Sequence, residues 1–160
     1  MALAGVSTIG VKFGYGVETT AGTKPTAFTQ LTRVNQIGGI SLSTEKIDAS
    51  ALEDEVTRYI AGRQDTGGEV PVTINLTDDT ISEWEKLITA SKTAQESGKS
   101  TWFTVWSPYL EKAFYFVAEP PKHIPEPEIA QNGLQTAEMT LVINEYKGME
   151  TKIEPQPASV

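Results

Sequence analysis

Two stretches of strict alternation constrain this chain more than anything else in its 160 residues. In "VPVTINLT", Val70, Val72, Ile74 and Leu76 fall on one side of an extended backbone, while Thr73, Asn75 and Thr77 fall on the other. In "TAEMTLVINEY", Ala137, Met139, Leu141 and Ile143 alternate with Thr136, Glu138, Thr140 and Asn144. A repeat of two is the strand period, so each stretch calls for a sheet with one dry and one wet face. Pro71 has no N–H to give to a ladder, which places it at the start of a strand or at a sheet edge. "VNQIGGISLSTEK" reads as a third long strand: Val34, Ile40 and Leu42 share one parity, Ser41, Ser43 and Glu45 the other, and Gly38 and Gly39 sit where a bulge would lie. "TWFTVWS" and "KAFYFVAE" are apolar on both faces and joined by "PYLE". They read as a central hairpin covered on both sides.

One segment has a convincing helical period. In "DDTISEWEKLITASKTAQESG", Ile81, Trp84, Leu87, Ile88 and Ser91 form a stripe that predicts a helix over about 81–97 lying on a sheet. Asp78 or Asp79 is the expected N-cap, Thr80 with Glu83 the expected capping box, and Gly98 the stop. The proline-rich "EPPKHIPEPE" predicts a stiff crossing between strands. The fold class is therefore mainly β with one helix, in one domain large enough to bury roughly 70% of its unfolded surface.

The chemistry is defined largely by what is missing. The sequence has no cysteine, so disulfides, thiolate metal sites and a cysteine nucleophile are excluded. A net charge of −8 argues against gripping a phosphate backbone. No apolar run approaches the roughly 20 residues that span a bilayer, so no membrane partner is expected. "MALAGVSTIGV" has no basic residue before Lys12 and reads as an arm rather than a signal peptide. His123, the single histidine, has no serine or acid at a triad or metal-site spacing. Asp48, Glu53, Asp54 and Glu55 form an acidic cluster but lack the D-x-D-x-D-G pattern of a calcium loop. Gly14 and Gly16 have neither the preceding strand nor the following helix of a dinucleotide loop. Trp102 and Trp106 have no basic residues interleaved and read as core. No catalytic constellation, metal site or cofactor site is assembled by these residues, and the chain is expected not to be an enzyme.

The connection at 47–69 is too long and too specific to be slack. It holds six acids and two arginines, net −4, half of the chain's excess, whereas the first 46 residues are net +2. It also places Val56, Tyr59 and Ile60 beside Arg58, a poor composition for disorder. From about Gly10 to Gly148 the chain resembles the major tail tube proteins of long-tailed (siphovirus-type) bacteriophages. The most specific part is an I-D-x-S/T-x-L-acid segment, then R-Y/F-I-x-G, then D-x-G-G before the next strand. It is matched by Ile47, Asp48, Ser50, Leu52, Glu53, Arg58, Tyr59, Ile60, Gly62, Asp65, Gly67 and Gly68.

This resemblance implies a β-sandwich or barrel-like tail-tube domain spanning 1–160, with an N-terminal arm or loop at 1–30, a docking loop at 47–69 and a flexible tail at 148–160. It implies hexameric rings stacked into a virion tail tube, other tail proteins at the tube ends, and a genome that passes without specific binding. The subunit is expected to be soluble in the host cytoplasm before assembly. Ile47, Asp48, Ser50, Leu52, Glu53, Asp54, Arg58, Tyr59, Ile60, Arg63 and Asp65 are the expected ring-joining residues. Ser41, Ser43, Glu45, Thr73, Asn75, Thr136, Glu138 and Thr140 are the expected lumen-facing ones. The alternatives are a tube protein of a contractile injection or secretion machine and, from another class, a calcium- or carbohydrate-binding β-sandwich using Trp102, Trp106 and the acidic segment.

Overall fold

The computed structural model describes residues 4–157. Nine strands and one helix follow in the order β1 (Lys12–Val17), β2 (Thr29–Leu31), β3 (Val34–Ile37), β4 (Ser43–Asp48), β5 (Tyr59–Asp65), β6 (Glu69–Asn75), α1 (Asp78–Glu96), β7 (Thr101–Trp106), β8 (Lys112–Glu119) and β9 (Thr136–Thr151). Seven strands make one antiparallel sheet in the order β2-β1-β7-β8-β9-β6-β3, and β4 and β5 make a separate hairpin.

That strand order dictates the shape. In the sequence, β2 and β3 are separated only by Thr32 and Arg33, yet they are the opposite edges of a seven-stranded sheet. A flat sheet of that size would hold its outer strands about 29 Å apart, at about 4.8 Å per step. The chain from Leu31 to Val34 reaches at most about 11 Å. The sheet must therefore curl until its edges nearly meet, and it stops short of a closed barrel because β2 and β3 do not pair. Arg33 takes a left-handed turn (φ 55°) in this crossing, and the Glu83 carboxylate accepts from Thr32 N (2.9 Å) and Thr32 Oγ1 (2.8 Å), pinning the crossing to the helix.

The inside of the curl is the main core. Val70, Val72 and Ile74 of β6 pair with Leu141, Met139 and Ala137 of β9, and Trp84 and Leu87 of α1 pack against them together with Phe13, Phe103 and Phe116. The helix begins at a Thr77 N-cap, with a capping box between Thr77 and Thr80, not at Asp78 or Asp79 with Glu83. Glu83 is instead committed to Thr32. Gly98 ends the helix at φ 72°, as its position predicts.

The outside of β1, β7 and β8 carries a second layer. Phe28, Trp102, Ala113, Tyr115 and Val117 form an apolar cluster, closed by Ile153 from the C-terminal segment. The central hairpin is thus covered on both faces, as its composition predicts. The segment after β9 is not free from residue 148: β9 runs to Thr151, Pro155 is buried, and Gln156 exchanges backbone bonds with Phe28 and Gln30. Residues 158–160 of the expected tail lie outside the described residues, as do residues 1–3 of the expected arm. Nor is 1–30 an arm throughout, since β1 pairs with both β2 and β7 inside the sheet.

Pro71 lies within β6 rather than at its start. Its carbonyl accepts from Gly38 N (2.7 Å), so the side on which its N–H is missing faces the place where β3 has already ended. Gly38 is required there, because a Cβ would stand 2.6 Å from Pro71 Cδ.

Candidate assembly surfaces

The segment expected as a loop at 47–69 is largely the β4–β5 hairpin, which begins upstream at Ser43. Its register pairs Ile47 with Ile60, Asp48 with Tyr59 and Lys46 with Ala61. The turn between the strands is built from its own side chains. Asp48 Oδ1 accepts from Ser50 N (2.9 Å), and Ser50 Oγ accepts from Arg58 N (2.8 Å). Asp54 Oδ2 accepts from Ala51 N (2.8 Å), and Asp54 Oδ1 meets Arg58 Nε at 3.2 Å. The bond from Ser50 N, with the Ser50 hydroxyl nearby, holds the Asp48 carboxyl below its ordinary pKa. At the base of β5, Asp65 accepts from Gly67 N, and Gly67 and Gly68 both turn at positive φ into β6.

The hairpin buries nothing substantial. Leu52 is fully exposed, and Val56 (76%), Tyr59 (58%), Ile60 (56%) and Ile47 (47%) are exposed as well. Ile47 and Ile60 lie on one face of the ribbon and Tyr59 on the other, beside Lys46, whose ammonium lies 5.8 Å from its ring. A two-stranded ribbon with water on both sides is at best marginally stable. The expected joining residues are thus brought together on one projection: Ile47 and Asp48 on β4, Tyr59, Ile60, Arg63 and Asp65 on β5, and Ser50, Leu52, Glu53, Asp54 and Arg58 in the turn or at its edge.

The second surface is the wet outer face of β9, β6 and β3. Thr73 pairs with Glu138, Asn75 with Thr136 and Pro71 with Thr140, so five of the eight expected lumen-facing residues share one face. Asn35 Nδ2 donates to Asn75 Oδ1 at 3.1 Å. Ser41, Ser43 and Glu45 are not there. The chain leaves the sheet after Ile37, and these three belong to the hairpin or its root. In their place the register adds Gln36, Glu69 and Glu119. Glu69 was recoverable from its parity with Thr73, whereas Gln36 and Glu119 depend on the strand order.

The tryptophans do not form an open platform. Trp102 is 3% exposed, its Nε1 donates to the buried Glu18 carboxylate at 3.0 Å, and Lys147 covers its ring. Trp106 is approached by Lys12 and Lys152 at 5.3 and 5.0 Å. Among the described residues no three His, Asp or Glu side chains are grouped to hold a metal ion. His123 is exposed in the 120–135 crossing.

No protein-family model and no curated protein matches this sequence. Among solved structures, a chain of the anti-feeding prophage (AFP) baseplate, 6-fold symmetrised, aligns with 95% of this chain and 97% of its own at TM-score 0.51 and 10% identity. The two chains share a fold. A chain from the tail of an empty GTA particle with C6 symmetry aligns with 79% of this chain and 87% of its own, at TM-score 0.49 and 14% identity.

Proposed function

We propose that this chain is a structural subunit of a phage-tail-like tube, in which copies join into six-fold rings and the rings stack. The observation that carries the proposal is the β4–β5 hairpin: a ribbon with large apolar side chains on both faces and no partner for either among the described residues. Such a ribbon gains its packing from a neighbour. The shared fold with a chain of a six-fold baseplate supports the symmetry. In this reading the outer face of β9, β6 and β3 lines the lumen. Its Thr, Asn and Glu side chains give phosphate no cation to hold, so a genome slides through without specific binding. The subunit is then the major tube protein of a long-tailed virion, with other tail proteins at the tube ends and a structural rather than enzymatic role.

The runner-up is a tube-type component of a contractile injection or secretion machine, which the baseplate likeness favours. Negative-stain microscopy of the concentrated protein tests both. Six-fold rings or hollow tubes are expected. A monomer at every concentration, with melting that shifts on calcium addition, would overturn the assembly reading in favour of a ligand-binding sandwich.

A further inference from the structure

The incomplete closure of the sheet leaves a cleft. Between β1 and β2 on one side and the edge strand β3 on the other runs a groove of about 880 Å³ with Phe13, Leu31, Val34 and Val105 among its walls. Through Ile37 and Val105 it continues into a pocket of about 310 Å³ walled by Gly39, Ile40, Phe114, Phe116 and Tyr146. We infer that this pocket receives the hairpin tip of a second copy of the chain, with Leu52 and Val56 entering it. The inference rests on the assembly reading above and names the receiving surface.

Three observations select that occupant. The pocket is walled by glycine, aliphatic and aromatic residues, and Arg33, which makes no ion pair among the described residues, lines the groove that adjoins it. The tip has the complementary layout, with the exposed Leu52 and Val56 flanking Glu53 and Glu55, two carboxylates that likewise make no ion pair there. The chain's own tip cannot serve. Leu42, at the hairpin root, lines one cavity together with Tyr146, which is also a wall of the apolar pocket, whereas six extended residues of β4 carry the tip roughly 17 Å or more away. Knob and hole are different surfaces, so their contact is head-to-tail and propagates into rings or stacks instead of closing a dimer.

The absence of cysteine makes a clean test possible. Leu52→Cys and Gly39→Cys subunits are prepared separately, mixed, assembled and oxidised. Both sites are exposed, and a Cβ at Gly39 meets nothing within 4 Å, so neither change threatens folding. A disulfide dimer is expected from the mixture and from neither subunit alone. Gly39→Leu, which plugs the pocket mouth, is expected to raise the concentration needed for assembly about tenfold, with the melting temperature unchanged. Rings or tubes that form without cross-linking in the mixture would overturn the groove as receptor and leave the assembly reading standing. Cross-linking of Leu52→Cys with itself would overturn it in favour of tips meeting tips. A protein that never assembles would remove both readings together.

Discussion

Gly38 and Gly39 are neighbours with opposite demands. A Cβ at Gly38 would lie 2.6 and 2.8 Å from Pro71 Cδ and Cγ and 3.1 Å from its carbonyl oxygen, while the same atom at Gly39 meets open space. Gly38→Ala must therefore push β3 away from β6, and overpacking of this kind costs roughly 1–3 kcal/mol. Gly39→Ala is expected to melt like the parent, so comparing the two melting curves isolates the Pro71 contact. Asp48 offers a second test at this scale. Its carboxyl is held below the ordinary range chiefly by the bond from Ser50 N, so the charged form is favoured in the folded turn. The turn's stabilisation by this group is present above the unfolded-state pKa and is lost as pH falls through the lower, folded one. Following the Ser50 amide by NMR on acidification should show a midpoint below that of an unstructured aspartate. A midpoint at the ordinary value would mean the Asp48–Ser50 bond does not persist in solution.

At the scale of elements, α1 depends on the contacts its stripe makes. Leu87 and Trp84 are fully buried, so Leu87→Ala should cost roughly 2–5 kcal/mol in chemical denaturation. Thr77→Ala should cost about 1 kcal/mol through the lost cap. Unchanged unfolding midpoints would place the stripe against something other than the sheet. The helix, β6 and β9 were legible in the sequence because each has one period and one buried face, and β7 and β8 because both of their faces are apolar. Other elements were not. "VNQIGGISLSTEK" keeps its alternation through a point where the chain leaves the sheet, and the close Gly38–Pro71 approach next to the end of β3 at Ile37 joins residues 33 apart, beyond the reach of any local pattern. β5 has no dry face, so Tyr59–Asp65 carries no strand period to find. The C-terminal segment reads as a loose proline-rich end, yet Pro155 seats where Gly14 leaves room, since a Cβ at Gly14 would lie 2.8 Å from Pro155 Cβ. Glycines at 14 and 16 in a strand were the available signal that something lies close over β1.

For the whole molecule, the structure changes which acids can steer assembly. Half of the net negative charge lies in residues 47–69, but Asp48, Asp54 and Asp65 are engaged in hydrogen bonds that build the hairpin. Glu53 and Glu55 take no part in those bonds, so charge reversal at these two should slow assembly without disturbing the turn, whereas reversal at Asp54 would break the turn itself. Tyr59 and Ile60 face opposite sides of the ribbon, so as anchors they require it to lie between two neighbouring surfaces rather than on one. Tyr59→Ala with Ile60→Ala should abolish assembly and leave the monomer's melting temperature nearly unchanged, because neither side chain is buried in the isolated chain. Exposed charges are screened beyond about 8 Å at physiological ionic strength, while apolar burial is not weakened in that way. Added salt should then slow polymerisation, read by light scattering, well before it dissolves finished tubes. Dissolution of finished tubes at the salt concentration that first slows their growth would show that charge pairs, and not Tyr59 and Ile60, hold the joint.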